Sequence, residues 1–212
     1  MPQIYETVIT TVDADGLPHV APMGARFEGD EVLIAPFRPS ITLDNILATR
    51  VAVLNVVTDV RVFAGCVTGR KTWPTLPAEE VAGVRLEAAI SHVELGLADI
   101  HGDESRPLLA LRRVFEATHA DFVGYNRAQA AVIEGAVLVS RLHLLPSEKI
   151  DAELAYLQIA IDRTAGPNEI EAWQWLLDAV AAFRIASGER ARPADAAAAT
   201  PVISASSSGA VR

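Results

Sequence analysis

Residues 4–35 read IYETVITTVDADGLPHVAPMGARFEGDEVLIA, and this stretch decides the fold that we predict from the sequence. Its first nine residues are rich in β-branched side chains, which is typical of a strand. A turn at 13–16 leads into a second strand over 17–27, in which two prolines limit the hydrogen bonding. A tight turn then precedes a third strand over 31–35. Three short strands joined by turns form a meander, the usual beginning of an antiparallel barrel or sandwich.

Beyond the meander, the sequence predicts further strands and several helices. Residues 51–57 form a continuous apolar run that favours a buried strand, and residues 84–98 favour another strand more weakly. Residues 60–65 fit either a short helix or the end of the preceding strand. The spacing of apolar residues predicts helices over 41–48, 108–119, 129–142 and 147–165, and a last helix from Asn168 onward.

These elements predict an α+β protein with three parts. We expect a β-barrel in residues 1–100, a helical domain in residues 101–186 and a disordered tail in residues 187–212, where small and charged residues dominate. Half of the 212 residues are hydrophobic and the mean hydropathy is +0.25. The chain therefore has enough apolar surface for a substantial core.

Composition also limits the partners and the compartment. The net charge is −9 and no cluster of Lys and Arg is present, which argues against nucleic acid or an anionic membrane as a partner. The start of the chain lacks a signal-peptide pattern, and no apolar run approaches the ~20 residues that span a bilayer. We therefore expect a soluble, cytoplasmic protein.

Cysteine and histidine usage argues against a metal centre. Cys66 is the single cysteine, which excludes an intramolecular disulfide and a thiolate metal cluster. It lies in an apolar run, which favours a buried structural thiol over a nucleophile. The histidines and acidic residues form no metal-binding motif, so we expect no metal.

The segment that follows the meander offers the groups that hold a phosphate. Residues 35–46 read Ala-Pro-Phe-Arg-Pro-Ser-Ile-Thr-Leu-Asp-Asn-Ile. They combine a cation, two hydroxyls and an amide with the exposed N–H groups of a helix start. These side chains belong to Arg38, Ser40, Thr42 and Asn45. The alternative is ordinary helix capping, in which Ser40 or Thr42 caps the short helix and Asn45 lies on the surface.

Four motifs carry a resemblance to a known family. They are Pro-His-Val-Ala-Pro-Met-Gly at 18–24, Arg-Pro-Ser-Ile-Thr-Leu-Asp-Asn at 38–45, Tyr-Asn-Arg-Ala at 125–128 and Ala-Val-Ile-Glu-Gly-Ala at 131–136. With these motifs the chain resembles the DUF447 family from about residue 5 to residue 180. The resemblance implies an antiparallel FMN-binding split barrel with a C-terminal helical segment. It also implies a homodimer, with FMN near the subunit interface.

The resemblance further implies which residues contact the cofactor. The phosphate ligands would be Ser40, Thr42 and Asn45, with Arg38 as the counter-charge. The residues near the isoalloxazine ring would be Pro22, Met23 and Gly24. For these last three, the residues alone leave open a second interpretation, an edge strand with a bulge.

Arg61 and Phe63 are further candidates for cofactor contacts. Arg61 could contact the pyrimidine edge of a flavin or a substrate carboxylate. Phe63 could stack on a ring, although a lone Phe more often lies in the core.

A helix in the second half of the chain supplies candidates for substrate or interface contacts. Arg127, Glu134 and Arg141 lie seven residues apart and share one face of an otherwise small, apolar helix. One interpretation is that Asn126, Arg127 and Glu134 reach toward a neighbouring pocket at a dimer interface. The alternative is a structural ion-pair stripe on a solvated face.

The resemblance therefore implies an FMN-binding flavoprotein, and we expect it to act as an oxidoreductase on a small organic substrate. The flavin would supply the redox chemistry, so no side chain is required as an acid or base. The family's occurrence in methylotrophs suggests one-carbon or pterin-linked metabolism. The alternatives are a non-catalytic flavin-binding module and a cofactor-free dimeric assembly module.

Overall fold

The barrel that the meander predicts is present and closed. The computed structural model describes residues 2–188. Its strands are β1 Tyr5–Val12, β2 Pro18–Glu28, β3 Glu31–Ile34, β4 Val51–Val57, β5 Thr75–Pro77, β6 Val84–Leu86, β7 Ala89–His101 and β8 Leu108–Thr118. Six of them form the closed antiparallel barrel in the order β1-β2-β3-β8-β7-β4, while β5 and β6 form a separate two-stranded sheet. The predicted meander and the predicted strand over 51–57 are confirmed.

In the described residues, five α-helices complete the predicted α+β fold. They are α1 Ile41–Thr49, α2 Arg61–Val67, α3 Arg127–Ser140, α4 Ser147–Thr164 and α5 Pro167–Ala186. Side-chain oxygens of Ser40 and Asn126 cap α1 and α3. Helix α2 occupies the segment that the sequence left open between a helix and a strand end. Within residues 2–188, no helix is both long and apolar enough to cross a membrane.

The segment over 108–119, which we predict as a helix, is strand β8, so that prediction was wrong. Leu, Ala, Arg and Glu dominate the segment and favour a helix locally. The strand pairs with β3 on one side and β7 on the other, which closes the barrel and leaves no open edge there. Leu109 and Leu111 are fully buried in the barrel interior. The barrel therefore extends to Thr118, past the predicted boundary at residue 100.

The helical block packs directly on the barrel. One hydrophobic cluster joins Val8 of β1 to Phe63 of α2 and Trp173 of α5, and a second cluster fills the barrel interior. Helices α3 and α5 approach closely at Gly135, where a Cβ would lie 2.8 Å from Trp173 Cζ3. The predicted disordered tail lies outside the described residues, apart from its first two residues, which follow α5 in a turn.

Candidate functional site

A cavity of about 670 Å³ lies on the outer face of the barrel, against strands β1, β2 and β3. Ala25 of β2 and Ile34 of β3 are buried in the barrel interior. Successive residues of a strand face opposite sides of the sheet, so positions 24 and 26, on either side of Ala25, face outward. Gly24 and Arg26 therefore line the cavity. The β3–α1 loop and the C-terminal end of α3 form its walls. Its volume is in the range of small-molecule and cofactor sites.

The floor of this cavity includes bare strand backbone. Gly24 pairs with Glu6 of β1 and presents no side chain to the cavity. A Cβ at position 24 would lie 2.8 Å from Ile4 Cγ2, so the exposed Ile4 side chain lies over this glycine and has to move aside before a ring can rest on the backbone. Pro22 and Met23 line the same cavity beside it. The three residues that we predict near a flavin ring therefore line one cavity, and a flat group can lie on them once Ile4 moves aside.

Positive charge dominates the polar lining of the cavity. Arg26 comes from β2, Arg106 from the β7–β8 loop, and Arg141 from the end of α3. Among the lining residues in the part of the chain that the structure describes, Glu6 is the one carboxylate. None of the three arginines forms an ion pair within residues 2–188. In a chain with a net charge of −9, this local excess of cations favours an anionic ligand.

Arg106 is held in position before any ligand arrives. Its guanidinium carbon lies 4.1 Å from the centroid of the Phe37 ring, a cation–π contact. Its Nε donates a hydrogen bond to the Ala35 carbonyl oxygen, at 3.3 Å. Both partners belong to the β3–α1 loop. This loop, which forms one wall of the cavity, therefore holds the Arg106 guanidinium in place.

The β7–β8 loop is itself tied to the loop that carries Arg38. The Arg38 N–H donates to the Ser105 carbonyl oxygen at 3.1 Å, and the Arg38 side chain is exposed. Asp103 Oδ1 accepts hydrogen bonds from Ser105 and from the Arg106 N–H, which closes a tight turn. These bonds, that from the Ser105 hydroxyl foremost, hold the pKa of Asp103 below its ordinary value. Sequence reasoning placed this turn at a helix start and so missed Arg106.

The predicted phosphate ligands on α1 lie mostly out of reach of solvent. The Ser40 hydroxyl oxygen accepts a hydrogen bond from the Leu43 N–H at 3.2 Å, which is helix capping. Thr42 and Asn45 face the barrel and are only 1% and 6% exposed. The Asn45 amide donates to Thr11 Oγ1 at 3.0 Å. Contact of Thr42 or Asn45 with a phosphate would require α1 to lift from the barrel, and their role as phosphate ligands stays a prediction.

Arg61 and Phe63 lie away from the cavity described above. Arg61 forms ion pairs with Asp59 at 2.6 Å and with Glu171 at 3.1 Å, and it lines a separate cavity of about 320 Å³. The hydrogen bond to Asp59, and then that to Glu171, raise the pKa of the guanidinium. Phe63 is 3% exposed and belongs to the cluster between barrel and helices. Phe63 is therefore a core residue, which was the alternative to its stacking on a flavin ring.

Helix α3 brings one residue of the predicted polar stripe to the cavity. Asn126 accepts a hydrogen bond from the Ala128 N–H and donates one to the Thr164 carbonyl oxygen, so it anchors the start of α3 to the end of α4. Arg127 and Glu134 are exposed and do not line the cavity. Arg141, at the end of the same stripe, does.

Sequence reasoning also missed a buried polar network beneath the loop at 78–83. Glu94 and His92 have fully buried side chains, with His92 Nε2 and Glu94 Oε1 3.1 Å apart. The Glu94 carboxylate accepts hydrogen bonds from three consecutive backbone N–H groups, those of residues 79–81. His92 Nδ1 lies 2.8 Å from His119 Nε2. In the sequence, this network is indicated by two polar residues, His92 and Glu94, at alternate positions of an otherwise largely apolar strand.

Cys66 is predicted to react slowly. Burial raises the pKa of its thiol to about 11, and its Sγ lies 3.6 Å from the Val20 carbonyl oxygen. Because the thiolate is the reactive form, the folded protein should react with a disulfide reagent such as DTNB about a hundredfold more slowly than a free thiol near pH 8. Absorbance of the released chromophore measures the rate, and unfolding in urea should restore fast reaction. A folded-state rate equal to that of glutathione would contradict the protection that we assign to this half-buried thiol.

Two family models match the chain. Residues 5–120 match the N-terminal domain of the family described as protein of unknown function (DUF447), and residues 126–178 match the DUF447 C-terminal model. The division between the models falls after β8, where the barrel ends and the helical block begins. No functionally curated protein matches the chain.

Solved structures share the fold. An FMN-bound protein from Methanosarcina mazei, assigned to the DUF447 model, superposes with a TM-score of 0.72 at 20% identity, covering 84% of this chain and 96% of that one. A candidate flavin reductase with a split barrel domain from Shewanella frigidimarina superposes with a TM-score of 0.50 at 12% identity, covering 58% and 74%. At these identities the likeness shows the fold, and the fold is the split barrel.

Proposed function

The chain belongs to the DUF447 family, and on that basis we propose that it binds FMN in the cavity against β1–β3 and acts as an oxidoreductase on a small organic substrate. One observation carries the proposal: bare strand backbone at Gly24 and three guanidinium groups share a single cavity. FMN needs both, a surface for its flat ring and positive charge for its phosphate. The FMN bound in the similar Methanosarcina mazei structure supports the choice of cofactor.

The residues divide naturally between the two ends of the cofactor. Pro22, Met23 and Gly24 would hold the ring, because they line the floor of the cavity. Arg106 would hold the phosphate, because it is already oriented by Phe37 and by a backbone carbonyl. The exposed Arg38 lies on the loop tied to Ser105, so it can add a second cation at that end.

When bound, the flavin supplies two-electron redox chemistry. The chain's own residues bind it, orient it and leave one side of the cavity open to a substrate. Glu6 pairs with Gly24 across the two strands and lines the same cavity.

Anaerobic mixing of the FMN-loaded protein with NADH or NADPH tests the proposed activity. Hydride donation from the reduced nicotinamide should bleach the visible absorbance of the bound flavin faster than that of free FMN, and an oxidised acceptor should restore it. Bound flavin that stays oxidised would contradict the oxidoreductase activity and favour a non-catalytic flavin-binding module. Protein that takes up no FMN would favour the cofactor-free assembly module.

The proposal includes a place in one-carbon or pterin-linked metabolism, on the sole ground of the family's occurrence in methylotrophs. A dihydropterin added to the reduced protein tests it directly. Reoxidation of the flavin by a dihydropterin, faster than by buffer alone under argon, would support this assignment. Equal rates of reoxidation with and without the dihydropterin would contradict the pterin-linked role but not the proposal that the chain binds FMN.

We also propose that the chain works as a homodimer through the apolar rim of the cavity. Ile4 and Phe37 line the cavity yet are 60% and 66% exposed. Tyr5 and Phe27, also exposed, meet edge to face with ring centroids 5.4 Å apart. Contiguous exposed apolar side chains of this kind mark surfaces that contact another protein, and the homodimer implied by the family is the occupant that we assign.

Changing Tyr5 and Phe27 together to glutamate should convert the dimer to a monomer. Two carboxylates placed in an apolar interface would lose their water on association, which costs several kcal/mol. Sedimentation equilibrium measures the mass, and Ile185→Glu, at an exposed position on α5, is the control. A wild-type monomer, or a double variant that remains dimeric, would show that this rim is not the interface.

A further inference from the structure

The cavity holds more positive charge than one phosphate requires. A phosphate monoester carries about −1.5 to −2 charge at neutral pH. Arg26, Arg106 and Arg141 line the cavity, and Arg38 stands on the adjoining loop, against the single carboxylate of Glu6. The four arginines and Glu6 thus carry more net positive charge than is needed to neutralise one bound phosphate.

The surplus is spread over different walls. Arg106 stands on the β3–α1 side, where Phe37 and the Ala35 carbonyl hold it. Arg141 reaches the cavity from the helical block, together with Val137 one turn earlier on α3. A phosphate held by Arg106 and Arg38 leaves Arg141, which comes from the helical block, available for a second anion.

We propose that Arg141 binds an anionic group of the substrate, so that the substrates of this site are small organic oxyanions, carboxylates or phosphate esters. The proposal rests on the proposed function, because it places the substrate beside FMN. The apolar neighbours Val137 and Leu108 supply a surface for the carbon skeleton of such a molecule. The helical block thereby selects the substrate, while the barrel holds the cofactor.

Ligands of equal shape and different charge test this assignment. Benzoate, phenyl phosphate, benzamide and benzamidinium share one ring and carry negative, neutral or positive groups. Titration of each into the FMN-loaded protein, followed by calorimetry and by the flavin absorbance spectrum, measures affinity without requiring turnover. We expect benzoate or phenyl phosphate to bind about tenfold or more tightly than benzamide, and benzamidinium to bind least.

The variant Arg141→Gln separates a substrate contact from a cofactor contact. It should weaken oxyanion binding about ten- to a hundredfold while FMN affinity stays within about twofold of the wild type. Arg163→Gln, at an exposed position on α4 outside the cavity, is the matched control and should change neither.

The outcomes distinguish the failure of this inference from the failure of the proposed function. Wild-type protein that binds no FMN overturns the proposed function, and this inference with it. FMN binding without a preference for oxyanions overturns the inference alone. A parallel loss of FMN and oxyanion affinity in Arg141→Gln also overturns it, because Arg141 would then hold the cofactor phosphate.

Discussion

Replacing Gly24 with leucine should lower FMN affinity by about a hundredfold or more, because the new side chain would fill the floor on which the ring lies. A Cβ at this position already meets Ile4 Cγ2 at 2.8 Å. Ile4 is 60% exposed and can move aside, so the fold should persist while the cavity closes. Gly24→Ala, with a single added carbon, should show a smaller loss. Quenching of FMN fluorescence on titration with apoprotein measures both.

A second strand glycine provides the control. Gly96 of β7 lies outside the cavity, and a Cβ there would meet Val114 at an ordinary 3.7 Å. Gly96→Leu should therefore bind FMN like the wild type. Equal losses in both variants would point to a general disturbance of the barrel, and an unchanged affinity in Gly24→Leu would place the ring elsewhere.

Replacing Glu94 with alanine should lower the free energy of unfolding by about 3–5 kcal/mol. The fully buried carboxylate accepts hydrogen bonds from the N–H groups of residues 79–81, at 2.5, 2.7 and 2.8 Å. Its removal leaves those donors and His92 without their acceptor in a site closed to water. Urea denaturation measures the loss. Glu116→Ala removes an exposed carboxylate that pairs with Arg113, and it should cost less than about 1 kcal/mol.

The same network predicts a pH dependence with a definite sign. Burial alone would raise the pKa of the Glu94 carboxyl, but the three backbone N–H groups and His92 outweigh it and hold the pKa below its ordinary value. The stabilisation is then complete above the unfolded-state pKa of about 4.3 and is lost as pH falls through the lower native pKa. The stability difference between the wild type and Glu94→Gln should stay constant down to about pH 5 and shrink on further acidification. A difference that grows in acid would contradict the assigned direction.

Local sequence was sufficient for elements whose own residues determine them. The meander is defined by its turns, and α1 begins after Ser40, a capping residue that the sequence displays. Strand β8 could not be predicted this way, because its residues favour a helix and only the open edges of β3 and β7 make it a strand. Its conformation is a property of the closed barrel.

The candidate site was predictable only in part. Pro22, Met23 and Gly24, which the resemblance to the DUF447 family implies near the ring, line one cavity, and their contact with FMN stays a prediction. Arg106 and Arg141 come from a loop and a helix end that are distant in the chain, and only tertiary packing brings them to that cavity. The sequence instead pointed to Thr42 and Asn45, whose polar side chains support α1 against the barrel.

Equilibrium titration of the purified apoprotein with FMN tests the central claim most directly. We expect saturable quenching of flavin fluorescence with one FMN per chain, and a yellow protein after removal of free flavin. Arg106→Gln should weaken this binding by about tenfold or more, because a charge-assisted contact with the phosphate is lost. A colourless protein that neither quenches nor retains FMN would contradict FMN binding in this cavity.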